Sequence, residues 1–212
     1  MDRLRLEMVE QQLIGRGISS RSVLDAFRKV ERHRFVPDEY VNLAYTDQPL
    51  PIGWDQTISQ PYIVALMTEL LALKPTDKAL EIGTGSGYQA AILAELIDSV
   101  FSIEIVDTLA KLAVSRLDSL NCRNVYVRSG DGYRGWPEHA PFDAIIVTCA
   151  PEDIPGPLVA QLAEGGRMVI PVGTKSQELL LLTKRNGQMA RQSVTGVRFV
   201  PMTGEATEPR LK

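Results

Sequence analysis

The chain has 212 residues, a formal net charge of −3, 44% hydrophobic and 23% charged residues. A chain of that length suits one α/β domain with an extension, and it buries about 70% of its unfolded surface, enough to fold without a metal or disulfide staple. The mild acidity and the lack of any basic run argue against a nucleic-acid binder, no apolar run approaches the length that spans a bilayer, and the charged start Met1-Asp2-Arg3-Leu4-Arg5-Leu6-Glu7 does not read as a signal peptide.

Residues 2–40 read as helical. Leu6, Val9, Leu13 and Ile14 recur at helical spacing, and Gly15 and Gly17 end that helix. Ser19-Ser20-Arg21-Ser22 opens a second helix with Val23, Leu24, Phe27 and Val30 on one face. His33, alone near its end, reads as a surface or capping residue rather than a catalyst. Residues 41–61 change character: prolines, a glycine, Trp54, and several hydroxyls and amides replace any periodicity. Such a stretch cannot hold a central strand. A long irregular loop in a compact domain tends to carry function, although a plain connector is the simpler alternative. From Pro61 helix returns, with Ile63, Leu66, Met67, Leu70 and Leu71 on one face.

The apolar run Ala79-Leu80-Glu81-Ile82 ends in Gly83-Thr84-Gly85-Ser86-Gly87 and is followed by a helical segment, Ala90 to Leu96. Strand, glycine turn and helix make the opening unit of a parallel, doubly wound sheet. A dinucleotide fingerprint would need its third glycine at position 88, which is Tyr88. Glu81, two residues before the first glycine, would repel a pyrophosphate but suits a cation. The loop alone is equally compatible with an ordinary tight turn. Glu104 closes the next strand, Ser99 to Glu104, at the separation from Gly83 where an acid accepts from ribose hydroxyls. A helix to about Leu120 and a third strand, Val125 to Ser129, lead to Gly130-Asp131-Gly132, either an Asp-Gly turn or an acid placed for an adenine amino group. Phe142 to Ala150 reads as a buried fourth strand containing Cys149 as a small hydrophobe. Cys122 and Cys149 are not at metal-ligand spacing and fit a reduced, cytoplasmic setting. Pro151-Glu152-Asp153-Ile154-Pro155 starts a helix through Leu162, capped by Gly165-Gly166. Strands are expected at 167–172, 179–184 and 193–200, with Asn186-Gly187 a hairpin signal and a loose tail after Thr203.

Glu81-Ile82-Gly83-Thr84-Gly85-Ser86-Gly87 resembles the first motif of the class I methyltransferases. Asp47-Gln48-Pro49-Leu50-Pro51-Ile52-Gly53, followed by Gln56-Thr57-Ile58-Ser59-Gln60-Pro61, resembles the hallmark of the protein-L-isoaspartate O-methyltransferases. The likeness extends through Gly130-Asp131-Gly132, the Pro141–Thr148 strand, Leu162-Ala163-Glu164-Gly165-Gly166, Pro171-Val172-Gly173 and Val197-Arg198-Phe199-Val200-Pro201. One departure is Asp55, where the pattern has glycine; it either alters the loop or adds an acid near the peptide cleft. Another is Cys149, where alanine is usual.

The resemblance implies a Rossmann-like α/β domain over residues 1–212: a helical and substrate-loop extension (1–60), then an S-adenosylmethionine-binding core (61–212) ending in antiparallel strands. It implies methyl transfer from S-adenosylmethionine to the free α-carboxyl of L-isoaspartyl residues in damaged proteins and peptides, by a cytoplasmic monomer without metal. By the same resemblance Glu81, Gly83 and Gly85 line the methionine part of the cofactor, Glu104 the ribose, and Asp131 with Gly132 the adenine, with Thr57 also on the cofactor side. Ser59 orients the reacting carboxylate, and Ile58 and Gln60 flank it on the substrate side. The carboxylate is ionised at neutral pH and needs no general base. The competing readings are a methyltransferase for a small metabolite or RNA, a non-catalytic nucleoside-binding module, and, last, a nicotinamide dehydrogenase.

Overall fold

The computed structural model describes residues 1–207. The N-terminal helix α1 (Asp2–Met8) runs on through a π turn (Val9–Leu13) and a 3-10 turn (Ile14–Arg16), and stops at Gly17, whose φ is +93°. Helix α2 (Arg21–Lys29) buries Val23, Leu24, Ala26 and Phe27. Residues 41–61 are more ordered than their composition suggests. Strands β1 (Leu50–Gly53) and β2 (Gln56–Ile58) form an antiparallel hairpin that stays outside the main sheet. Its tip, Trp54-Asp55, has φ of +49° and +55°. Asp is among the non-glycine residues that tolerate this region, so the departure from glycine at 55 keeps a left-handed turn.

Helix α3 (Pro61–Leu70) starts on a proline at its first position, where no N–H is missed. Then come β3 (Lys78–Ile82), α4 (Tyr88–Ala94), β4 (Ser99–Glu104), α5 (Asp107–Ser119), β5 (Val125–Ser129), β6 (Phe142–Val147), α6 (Gly156–Gln161), β7 (Leu162–Val172), β8 (Gln177–Arg185) and β9 (Gln188–Val197). The seven-stranded sheet has the order β5-β4-β3-β6-β7-β8-β9. The first five are parallel; β8 and β9 add antiparallel hairpins, the second turning at Asn186-Gly187 with φ of +52° and +73°. Gly165 and Gly166 do not cap α6. The chain enters β7 at Leu162, and the pair falls where the β6–β7 register slips between Phe142 and Ala144. A Cβ on Gly166 would lie 2.9 Å from the carbonyls of Asp143 and Ala163, so the irregularity needs glycine there.

Alternate strand residues go to opposite faces. Ala79, Val100, Ala144, Ile146 and Val169 share one core with residues of α1 to α5. Leu80, Ile82, Phe101, Ile103, Ile145 and Met168 share the other with Leu158 of α6 and with Tyr133 and Trp136. Each buried Leu, Ile or Phe side chain contributes about 1.5–3 kcal/mol by leaving water. Together they hold β3, the strand that ends in the glycine loop, rigid at the sheet's centre. The tail is not loose where it is described. Gly204–Thr207 form a 3-10 turn, and the remainder of the expected loose tail, residues 208–212, lies outside the described residues.

Candidate active site

The chain leaves β3 to build one side of the sheet and returns through β6 to build the other. The crevice beyond the ends of β3 and β6 is therefore the point where strand order reverses, the usual ligand position in such sheets. A cavity of about 220 Å³ opens there, lined by Gly83 and Gly85 after β3, Glu104 at the end of β4, Gly132, and Thr148 and Cys149 after β6. Its far wall is Val200 to Thr203.

The glycine loop is pinned from below. Gly83 N–H donates to the Ile103 carbonyl at 2.8 Å, and the Thr148 hydroxyl reaches the Gly83 carbonyl at 2.7 Å. Gly83 has φ of +94°, and a Cβ there would sit 2.4 Å from Thr148 Oγ1. On the next turn Arg116 donates to the Ser86 carbonyl at 2.6 Å. Burial lowers the Arg116 pKa from its ordinary range.

Two carboxylates lie under this loop. Glu104 accepts from Gly85 N–H at 2.7 Å on one oxygen and from Val106 N–H at 3.0 Å on the other. It faces the cavity with a spare lone pair on each oxygen. Glu81 is fully buried and stands directly opposite Ser102 in the β3–β4 pairing. Ser102 Oγ donates to Glu81 Oε2 and contacts Thr84 Oγ1 at 2.6 Å, while Glu81 Oε1 has no hydrogen-bond partner. Burial pushes the Glu81 carboxyl up to about 8, and the neighbouring Glu104 adds to the rise while the Ser102 bond opposes it. Neither acid takes part in an ion pair among the described residues. Glu104 alone presents its carboxylate to the cavity; Glu81 lies beneath it, walled off from the open space.

The hairpin loop supplies the other wall. Thr57, Ile58 and Ser59 face Gly83, Gly85, Gln89 and Thr148 across a small chamber. Thr57, Ser59, Gln60 and Thr148 also line a cleft of about 970 Å³ that runs along residues 174–177 and 196–201. Gln60 is held by its amide on the Asp47 carbonyl at 3.1 Å. Thus Thr57 and Thr148 border all three spaces, and Ser59 stands where the chamber meets the cleft.

The structure brings Thr57, Ile58, Ser59, Gln60, Gly83, Gly85, Glu104 and Gly132 to these walls. Glu81 and Asp131 are not among the lining residues. Asp131 is committed to the backbone: Oδ1 accepts from Tyr133 N–H at 2.9 Å and Oδ2 from Glu205 N–H at 2.8 Å. That second bond fastens the terminal turn whose preceding residues wall the cavity. Asp131→Ala is therefore expected to lower unfolding free energy by about 1–2 kcal/mol, the usual cost of a lost cap. In limited proteolysis the variant should be cut first near residues 200–207; an unchanged cleavage order would refute the fastening role. His33 is a structural residue, with Nδ1 2.8 Å from the Tyr45 hydroxyl.

Thr148 and the Val200–Thr203 wall were given no site role by the sequence reading, although Thr148, Val200 and Pro201 lie in stretches that carry the resemblance. Met202 N–H donates to the Ala150 carbonyl, and Ala150 N–H to that of Val200, each at 2.8 Å, which fastens the segment beside the strand end. The signal that could have found Thr148 is a hydroxyl at the end of an otherwise apolar strand facing the glycine loop. Cys149 also lines the cavity, and burial pushes its thiol up to about 12, which leaves it unreactive at neutral pH.

The family model for protein-L-isoaspartate(D-aspartate) O-methyltransferase matches residues 5–207. The chain is 57% identical over 200 residues to a protein-L-isoaspartate O-methyltransferase of Gloeobacter violaceus, covering 93% of this chain and 98% of that protein. It is 55% identical to one from Picosynechococcus sp., covering 96% and 91% of the two chains. A solved protein-L-isoaspartate O-methyltransferase superposes with a TM-score of 0.88 at 30% identity, covering 95% of this chain and 67% of that one. A Plasmodium falciparum beta-aspartate methyltransferase in complex with S-adenosyl-L-homocysteine superposes at 0.82 and 27% identity, covering 93% and 97%.

Proposed function

The chain belongs to the protein-L-isoaspartate(D-aspartate) O-methyltransferase family, and from that premise we propose that methyl transfer takes place where Thr57, Ser59 and Thr148 separate the glycine-loop chamber from the long cleft. The enzyme transfers a methyl group from S-adenosylmethionine to the free α-carboxyl of L-isoaspartyl residues in damaged proteins and peptides. The single observation that carries the site assignment is the shared wall: one serine borders both spaces.

The residues present fit the cofactor. Bound S-adenosylmethionine supplies an electrophilic methyl group on a positively charged sulfur. Glu81 Oε1, buried and unpartnered, supports a role in receiving the ammonium of its amino-acid part. Glu104 retains acceptor capacity for ribose hydroxyls, and Gly83 and Gly132 let the cavity wall pack closely, since a Cβ there would stand 2.4 Å from Thr148 Oγ1 and 2.3 Å from Ile82 Cγ2. Asp131 supports the adenine end through the wall it fastens.

In the cleft, the Ser59 hydroxyl would donate to one oxygen of the substrate α-carboxylate and leave the other free to form the new carbon–oxygen bond, while bound S-adenosylmethionine would supply the methyl group, its sulfur keeping the electron pair of the broken carbon–sulfur bond. A carboxylate and a sulfonium become a neutral ester and a thioether. No proton moves, which agrees with a site that offers no imidazole. Held geometry, rather than acid–base chemistry, is then the main lever, and alignment of this kind contributes about 7–11 kcal/mol at best.

The test is labelled methyl transfer to matched peptides carrying L-isoaspartyl or ordinary L-aspartyl. The wild type should label only the former, as a base-labile ester. Ser59→Ala should lower kcat about 10- to 100-fold, the worth of one hydrogen bond to a charged group. A variant that turns over at the wild-type rate sinks the serine role.

The reading treats the chain as one catalytic domain, with residues 1–60 as the substrate-loop extension, acting as a cytoplasmic monomer that takes no nucleic acid. What supports the localisation is that no helix among the described residues is long and apolar enough to cross a membrane, and that Cys122 and Cys149 are free. The size of the cleft, about 970 Å³, favours a peptide over a small metabolite.

A further inference from the structure

We propose that Lys175 and Arg198 are specificity residues that favour isoaspartyl sites flanked by acidic residues. The proposal rests on the methyl-acceptor reading above and adds the class of peptide the cleft selects.

Both side chains line the same cleft as Ser59 and Gln60, and no aspartate or glutamate lines it. Both are exposed, and neither forms an ion pair among the described residues. In a chain of net charge −3, the cleft is a local reversal of sign.

Their backbone positions are defined. Lys175 lies on the turn between β7 and β8. Gly173, at φ +122°, admits that turn, since a Cβ there would stand 2.1 Å from the Ser176 carbonyl oxygen. Arg198 follows β9. The Gln177 side chain brackets the next residue, donating to the Phe199 carbonyl at 3.1 Å and accepting from Phe199 N–H at 2.6 Å. One side chain thus ties the segment that carries Lys175 to the segment that carries Arg198.

An isoaspartyl linkage already exposes one free carboxylate, which methylation neutralises. Charges on neighbouring residues survive the reaction and can tell one damaged site from another. An exposed ion pair is worth about 0.2–1 kcal/mol, and opposite and like charges act in opposite directions.

The test uses one L-isoaspartyl peptide with flanking residues changed to glutamate, glutamine or lysine, and reads kcat/KM at low ionic strength. The wild type should prefer the glutamate-flanked peptide over the lysine-flanked one by about tenfold, and the ratio should shrink in high salt. In the double variant Lys175→Gln, Arg198→Gln the ratio should fall to within about twofold of unity. A general loss of fold would lower all three peptides together and leave the ratio in place. A wild-type ratio near one, or a ratio that survives in the double variant, overturns the proposal alone. Failure of the wild type to methylate any of the three overturns the substrate reading, and the proposal with it.

Discussion

Gly83→Ala is expected to weaken S-adenosylmethionine binding about 30- to 1000-fold, from an overpacking cost of about 1–3 kcal/mol added to about 1 kcal/mol for a side chain at positive φ. The larger part is steric. The added methyl would stand 2.4 Å from Thr148 Oγ1. That hydroxyl sits on a branched carbon and reaches the Ile82 and Gly83 carbonyls at 3.0 and 2.7 Å, so rotating it away breaks contacts that shape the loop. The alternative is for the loop to rise off β6 into the space the cofactor needs. Gly87→Ala is the control. Its φ of +88° is equally unsuited to alanine, but the nearest neighbour would be Leu117 Cγ at 3.4 Å. It should lose only the strain. Titration calorimetry on both variants decides the matter: equal losses would show that backbone strain, not the contact with Thr148, governs the loop.

The second large effect is on stability, and it comes from Glu81. Its carboxyl, ordinarily near 4.5, is held at about 8 by burial. Between those values the unfolded chain has lost the proton and the folded chain keeps it. The folded state therefore binds more protons, and stability falls as pH rises through the window, flattening above about 8. The full swing is on the order of 5 kcal/mol, since each pKa unit is worth about 1.4 kcal/mol. Glu81→Gln removes the titration. Without cofactor, the variant should match the wild type near pH 5 and exceed it near pH 9 by several kcal/mol in denaturant unfolding. A wild type whose stability relative to the variant is level from pH 5 to 9 would falsify the assignment. The sign is opposite to that of the usual paired carboxylate.

Much of this was legible in the residues. Strand Ser99–Glu104 falls where its apolar residues place it, since it is buried inside the sheet, and the edge strand Val125–Ser129, half exposed, was legible from its β-branched and aromatic residues. Glu104 and the glycines follow from position alone: they come at strand ends, and strand ends meet at the crevice. The β1–β2 hairpin was not legible. Pro49 precedes its first strand and Pro51 lies within it, and its tip carries Trp54-Asp55 rather than the Asn-Gly type that advertises such a turn. Gly165-Gly166 looked like a helix cap, because glycine pairs serve both caps and strand irregularities, and only the pairing partner decides. Thr148 and Val200–Thr203 carry no chemical signature; their part in the site comes from where tertiary pairing puts them. Asp131 shows the limit of reading a motif by residue type. The acid is where the resemblance implies, yet it does not line the cavity; its oxygens accept from the Tyr133 and Glu205 backbone N–H groups.

The closing wall has a consequence for the order in which the molecule comes into being. Gly83, Glu104 and Thr148 emerge from synthesis well before Val200 to Thr203, and the parallel strands β3 to β7 can pair without the last segment. A nascent chain therefore synthesises the floor of the cavity long before its far side, which closes when Met202 pairs with Ala150. Carboxyl-terminal tags or truncations reaching into residues 200–207 would act on the cofactor site itself, although they lie far from the glycine loop in sequence.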